Sequence, residues 1–114
     1  MKPLIKHARS FPVSIYIAGS YSKAIKLVQE YCDEVGYCVT VESTYYVYKG
    51  GSEHGIRVGL INYPRFPSDP STITKKAFEI AEKLRVGLNQ ESYSVETPLE
   101  TIWYSYRTGD VSED

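Results

Sequence analysis

GIRVGLINYPRFPSDPSTITKKAFEIAEKLRVGL, from Gly55 to Leu88, is the stretch that decides the fold. Ile56, Val58 and Leu60 alternate with Arg57, Gly59 and Ile61. A period of two residues marks a strand with one buried face. A loop follows from Asn62 to Asp69. Its Pro64 and Pro67 lack backbone donors and push Tyr63 and Phe66 into extended geometry, so the loop is stiff. Asp69 before Pro70 predicts a helix start, a capping carboxylate with proline at the first helical position. Ile73, Ala77, Ile80, Ala81, Leu84 and Leu88 then recur at helical spacing as one apolar stripe. Gly87 is the expected stop, because glycine accepts a left-handed cap.

Working outward, the same strand–turn–helix plan occurs upstream. Phe11 to Ala18 alternates as a strand, Gly19 to Ser22 is a tight turn, and Ser22 to Val35 carries a helical apolar face that Gly36 ends. Tyr37 to Tyr48 predicts a long strand, and Lys49 to Gly55 a hairpin loop into the strand above. Ser92 to Thr97 predicts a strand with Tyr93 and Val95 inward, Pro98 breaks it, and Thr101 to Tyr106 adds a last strand. The order is β-α-β-β-α-β with an added C-terminal strand. It predicts an α+β, ferredoxin-like fold, an antiparallel sheet with two helices on one face. Residues 1–10 read as a flexible arm, 11–107 as a single domain and 108–114 as an acidic tail.

The totals fit one domain: 114 residues, 42% hydrophobic and 24% charged. A chain of this length buries a core without disulfides or metal. The net charge of −1 supplies no basic field, so nucleic acid is not the expected partner. Cys32 and Cys38 read as small hydrophobes in a reducing compartment, and His7 and His54 lie too far apart in sequence for a zinc pattern. No cofactor motif and no metal-ligand spacing is present. No apolar run is long enough to cross a membrane, which leads to an expected cytoplasmic location.

Eleven tyrosines stand out, most of them in predicted strands. The sheet face away from the helices is expected to display Tyr16, Thr40, Glu42, Thr44, Tyr46, Arg57, Ile61 and Tyr63. Such an aromatic face suits a partner, either a second copy of this chain or a small ligand. The C-terminal strand is a further candidate to cover it. A second candidate surface is the stiff loop, where Arg65 stands between Tyr63 and Phe66 as a preorganised charge between aromatics. A third is the helix start at Gly19 to Ser22, where Ser20, Ser22, Lys49 and His54 offer donors to an anion. Glu53 beside His54 is a candidate acid–base pair there.

Ser14-Ile15-Tyr16-Ile17-Ala18-Gly19-Ser20 resembles the opening strand and glycine turn of nucleoside 2-deoxyribosyltransferase-like proteins. The resemblance implies a ribose pocket beside the turn and a glutamate nucleophile much later. It covers seven residues; no matching acidic motif follows and the chain is short for that family's parallel sheet, so membership is not claimed. The expected function is a non-enzymatic binding or assembly module that self-associates. It would bind a protein or small ligand through Tyr16, Tyr46, Arg57, Tyr63, Arg65 and Phe66. The alternative is a small enzyme or sensor for a nucleotide or sugar phosphate held at Gly19 to Ser22.

Overall fold

A computed structural model describes residues 1–111, so residues 112–114 of the acidic tail lie outside the described residues. The elements are β1 (Val13–Ala18), α1 (Tyr21–Val35), β2 (Thr40–Tyr48), β3 (Gly51–Leu60), α2 (Pro70–Gly87), β4 (Ser92–Glu96) and β5 (Thr101–Ser105). The five strands form one sheet in the order β2-β3-β1-β4-β5, and every neighbouring pair is antiparallel. An α+β fold with a five-stranded antiparallel sheet and two helices is what the alternating and helical periods require. The parallel sheet implied by the transferase resemblance is absent from the described residues.

The core lies between the sheet and the helices. Val13, Ile15 and Ile17 of β1, Ile56, Val58 and Leu60 of β3, and Tyr93 and Val95 of β4 pack against Ala24, Val28, Ile73, Ala77, Ile80, Ala81 and Leu84. Each helix starts as its sequence dictates. The Ser20 hydroxyl accepts from the Lys23 amide, and Asp69 Oδ1 accepts from the Thr72 amide at 2.8 Å with Pro70 next in line. Gly36 closes α1 at φ 73°.

Three expectations about local structure change. Lys49 to Gly55 is not a loop: β2 and β3 meet across a two-residue turn at Lys49 and Gly50, with Tyr48 opposite Gly51. Gly50 supplies the positive φ of 86° that the turn needs. α2 does end at Gly87, but Gly87 is not its left-handed cap; Asn89, two residues on, takes that conformation at φ 55°. Finally, β5 does not cover the open face but extends the sheet beside β4, with Trp103 opposite Ser94.

Candidate functional site on the open sheet face

The register assembles the site. Tyr16 lies beside Arg57 on β3 and Ser94 on β4, and Ser94 lies beside Trp103 on β5. Arg57 in turn faces Glu42 on β2. Because paired residues share a face, one row across the sheet reads Glu42, Arg57, Tyr16, Ser94, Trp103. One step along the strands, Thr44, Gly55 and Ala18 follow in register, and beyond them Tyr46 faces Glu53. The helices occupy the other face, so these side chains look away from the core.

Gly55 is the position where a side chain is forbidden. A Cβ built there would stand 2.0 Å from Tyr46 Cε2 and 2.8 Å from the Ile17 carbonyl oxygen. The missing side chain lets the Tyr46 ring lie across the strand. The Tyr46 hydroxyl donates to the Ile56 carbonyl at 2.6 Å. Burial pushes its pKa up, which keeps it a neutral phenol. Around this ring is a groove of about 220 Å³, lined by Tyr16, Tyr46, Glu53, Ser94, Trp103 and Arg107 among others. Trp103 is 56% exposed, so much of its indole is open to solvent beside the groove.

The row with Arg57 is tightly bonded. Arg57 donates to Glu42 Oε1 and to the Ser14 hydroxyl, each at 2.8 Å. Neighbouring Tyr16 and Glu42 raise its pKa against the opposing effect of burial. The Tyr16 hydroxyl donates to Glu96 Oε1 at 3.0 Å. Tyr16 therefore lines the groove and reaches Glu96 through its hydroxyl. Aromatic faces, hydroxyls and carboxylates of this kind suit a nucleoside: stacking for a base, a carboxylate for a ribose diol, and ring faces for a cation. Among the described residues no three His, Cys, Asp or Glu side chains gather as a metal site.

Two solved structures share this fold. A phage SAM lyase in its apo state matches with TM-score 0.75 and 15% identity, covering 97% of this chain and 100% of that one. A phage SAM lyase in complex with S-methyl-5'-thioadenosine matches with TM-score 0.64 and 14% identity, covering 90% of this chain and 96% of that one. No family model and no curated protein sequence matches the chain. The expectation of a non-enzymatic assembly module is corrected by these matches: the fold is one that phage SAM lyases share, and the nucleotide-handling alternative fits these neighbours better.

The sequence-derived residues are divided by the structure. Tyr16, Tyr46 and Arg57 come together on the open face. Tyr63 does not join them; it lies past the end of β3, where its hydroxyl accepts from the Cys38 thiol and its ring sits 5.3 Å from Phe66. That Cys38 contact and burial push Tyr63 up to about 12. Ile61 likewise lies beyond the strand. Arg65 is exposed near Leu4 and Lys6 of the N-terminal arm, and among the described residues it makes no ion pair with Glu100 or Asp69.

The four helix-start residues are gathered only in part. Ser20 and Ser22 bond each other at 3.1 Å, and the Gly19 amide donates to the His54 carbonyl at 3.0 Å, but the His54 ring packs 4.4 Å from Tyr45 and Lys49 sits at the hairpin tip. Glu53 and His54 are successive strand residues on opposite faces, so they do not act on one substrate. Glu53 instead enters the open-face groove. Ser92, Ser94, Glu96 and Trp103 were not singled out from sequence. The signal was present: Tyr93 and Val95 face inward, so a period of two puts Ser92, Ser94 and Glu96 outward. Trp103 follows only once the hairpin register of β4 and β5 is known.

Proposed function

We propose that this protein is a small lyase acting on S-adenosylmethionine and releasing S-methyl-5'-thioadenosine. The observation that carries the reading is the likeness to a phage SAM lyase over the whole length of both chains. The open-face groove supports it, because its chemistry fits that nucleoside. Trp103 and Tyr46 offer faces to the adenine, Glu53 accepts from the ribose hydroxyls, and the ring of Tyr16 faces the sulfonium. The order β2-β3-β1-β4, with a helix in each crossover, supports reading the first four strands as a ferredoxin-like unit with β5 appended.

The sulfonium is itself the leaving group. The substrate's own carboxylate oxygen bonds to the γ-carbon as the carbon–sulfur bond breaks. The electron pair stays on sulfur, and a cyclic ester departs beside the neutral thioether. No proton or co-reactant is needed. The protein's contribution is to fold the amino-acid chain into reach and to stabilise the spreading charge. Incubation with S-adenosylmethionine followed by chromatography tests this. Wild type should generate S-methyl-5'-thioadenosine. Trp103→Ala, which removes a stacking surface of about 1–3 kcal/mol, should raise KM roughly tenfold or more. Intact substrate after prolonged incubation with wild type overturns the proposal.

A further inference from the structure

We infer that the part of the open face around Arg57 and Glu96 is a separate subsite for the amino-acid end of the substrate. Arg57 takes the α-carboxylate and Glu96 the α-ammonium. The inference rests on the S-adenosylmethionine reading and goes beyond it by dividing the substrate between two grooves.

Size is the first argument. The groove at Tyr46 and Trp103 holds about 220 Å³, less than the ~300–1,000 Å³ usual for small-molecule sites. A nucleoside with an amino acid attached needs more room than that. A second groove of about 520 Å³ opens on the same face, lined by Pro12, Ser14, Arg57, Glu96 and Pro98 among others. Tyr16 joins the two: it lines the first, and its hydroxyl donates to Glu96, which lines the second. Along β3, Glu53 of the first groove and Arg57 of the second lie four residues apart, roughly 13 Å. That span separates a nucleoside end from an amino-acid end, with Tyr16 at the border of the two grooves.

Charge is the second argument. Among the described residues Arg57 is the one cation that the strands place on this face; Arg107, which lines the first groove, follows β5 and pairs with Glu91 at 3.6 Å. Arg57 uses donors on Glu42 and Ser14, and guanidinium has five, so N–H groups remain for a carboxylate. Its side chain is 39% exposed and within reach of solvent. Glu96 accepts from Tyr16 and has no cationic partner among the described residues. A zwitterion laid across β1 satisfies both. A cation and a carboxylate on opposite sides of one strand, each facing the same groove, are the complement of an α-amino acid.

Two stable thioethers isolate the effect. S-adenosylhomocysteine carries the amino-acid end and S-methyl-5'-thioadenosine replaces it with a methyl group. Calorimetric titration of the full chain with each should show that wild type prefers S-adenosylhomocysteine. Arg57→Met should erase that preference, a loss of about 10- to 100-fold for a charge-assisted bond, and leave S-methyl-5'-thioadenosine binding within about twofold. Arg57→Lys should restore part of it. Glu96→Gln, an exposed substitution with no packing role, gives the same answer independently if Arg57→Met perturbs folding. A preference that persists in both variants, or a wild type that binds S-methyl-5'-thioadenosine without preferring its larger relative, overturns the subsite and leaves the functional reading standing. Wild type that binds neither compound overturns the functional reading and the subsite with it.

Discussion

At the scale of single residues, Gly55 does the most to shape the groove. It lies within β3, where glycine is otherwise a poor choice because it adds no packing and costs chain entropy. Its value is steric. The Tyr46 ring occupies the space a Cβ would take, and the Ile17 carbonyl closes the other side. Backbone cannot step aside as a flexible side chain can. Gly55→Ala should therefore lower stability by about 1–3 kcal/mol, the usual cost of overpacking, and expel the Tyr46 ring from its seat. Urea unfolding reads the first effect and S-methyl-5'-thioadenosine affinity the second. Unchanged stability in the alanine variant would show that the ring has another resting place. The same close approach also explains a misreading. From sequence, Gly50, Gly51 and Gly55 fall within one hairpin loop from Lys49 to Gly55. In fact only Gly50 turns the chain, and Gly55 is a strand residue selected for what lies above it.

At the scale of elements, the added strand β5 is held by its side chains as well as its ladder. Tyr104 stacks on Tyr93 at 5.5 Å and meets Phe78 of α2 edge-on. The Tyr93 hydroxyl donates to Glu82 Oε2 at 2.7 Å, Arg85 pairs with the same carboxylate, and Arg85 lies over the Tyr106 ring. The Arg85 guanidinium foremost, with help from Tyr93, holds Glu82 below the usual carboxylate range against the effect of burial. The folded state then binds this proton more weakly than the unfolded chain. Its stabilising contribution is full above the ordinary glutamate range, about pH 4.3, and is lost as acid carries the pH down through the folded value. Glu82→Gln should cost about 1 kcal/mol at pH 7, at the low end because the pair is partly solvated. In urea midpoints measured against pH, the gap between the two proteins should shrink below about pH 4; a gap that stays constant would assign the cost to shape rather than charge. The elements themselves were legible in the sequence because each signal is local: Asp69-Pro70 starts α2, Gly36 ends α1, and the apolar stripe of α2 is buried as its spacing demands. The position of β5 was not legible. Thr101 to Ser105 carries aromatics on both faces, so its period does not say whether it lies on the sheet or beside it.

At the scale of the whole molecule, the site joins the two least supported parts of the sheet. β1 has a neighbour on each side, whereas β5 pairs with β4 alone. The distal half of the β2–β3 hairpin has no third strand, because β1 reaches only to Ala18 opposite Gly55. Yet Tyr46 and Glu53 come from that hairpin end and Trp103 and Arg107 from the β5 side, and one groove is lined by all four. This is why the site escaped a reading along the chain: its parts lie up to 91 residues apart, from Tyr16 to Arg107, and only the register brings them together. It also predicts a pattern of hydrogen exchange. In the free protein, amides of β1 and of Ile56 to Leu60 should exchange slowest, and those of 45–54 and 101–105 fastest among the strands. Saturating S-methyl-5'-thioadenosine, at about 100 times its Kd, adds roughly 2.7 kcal/mol to any opening that releases it. Protection should rise together in the hairpin end and in β5, two segments that share no ladder. Protection confined to Gly19 to Lys23 would instead place the ligand at the start of α1 and remove the open face from the function.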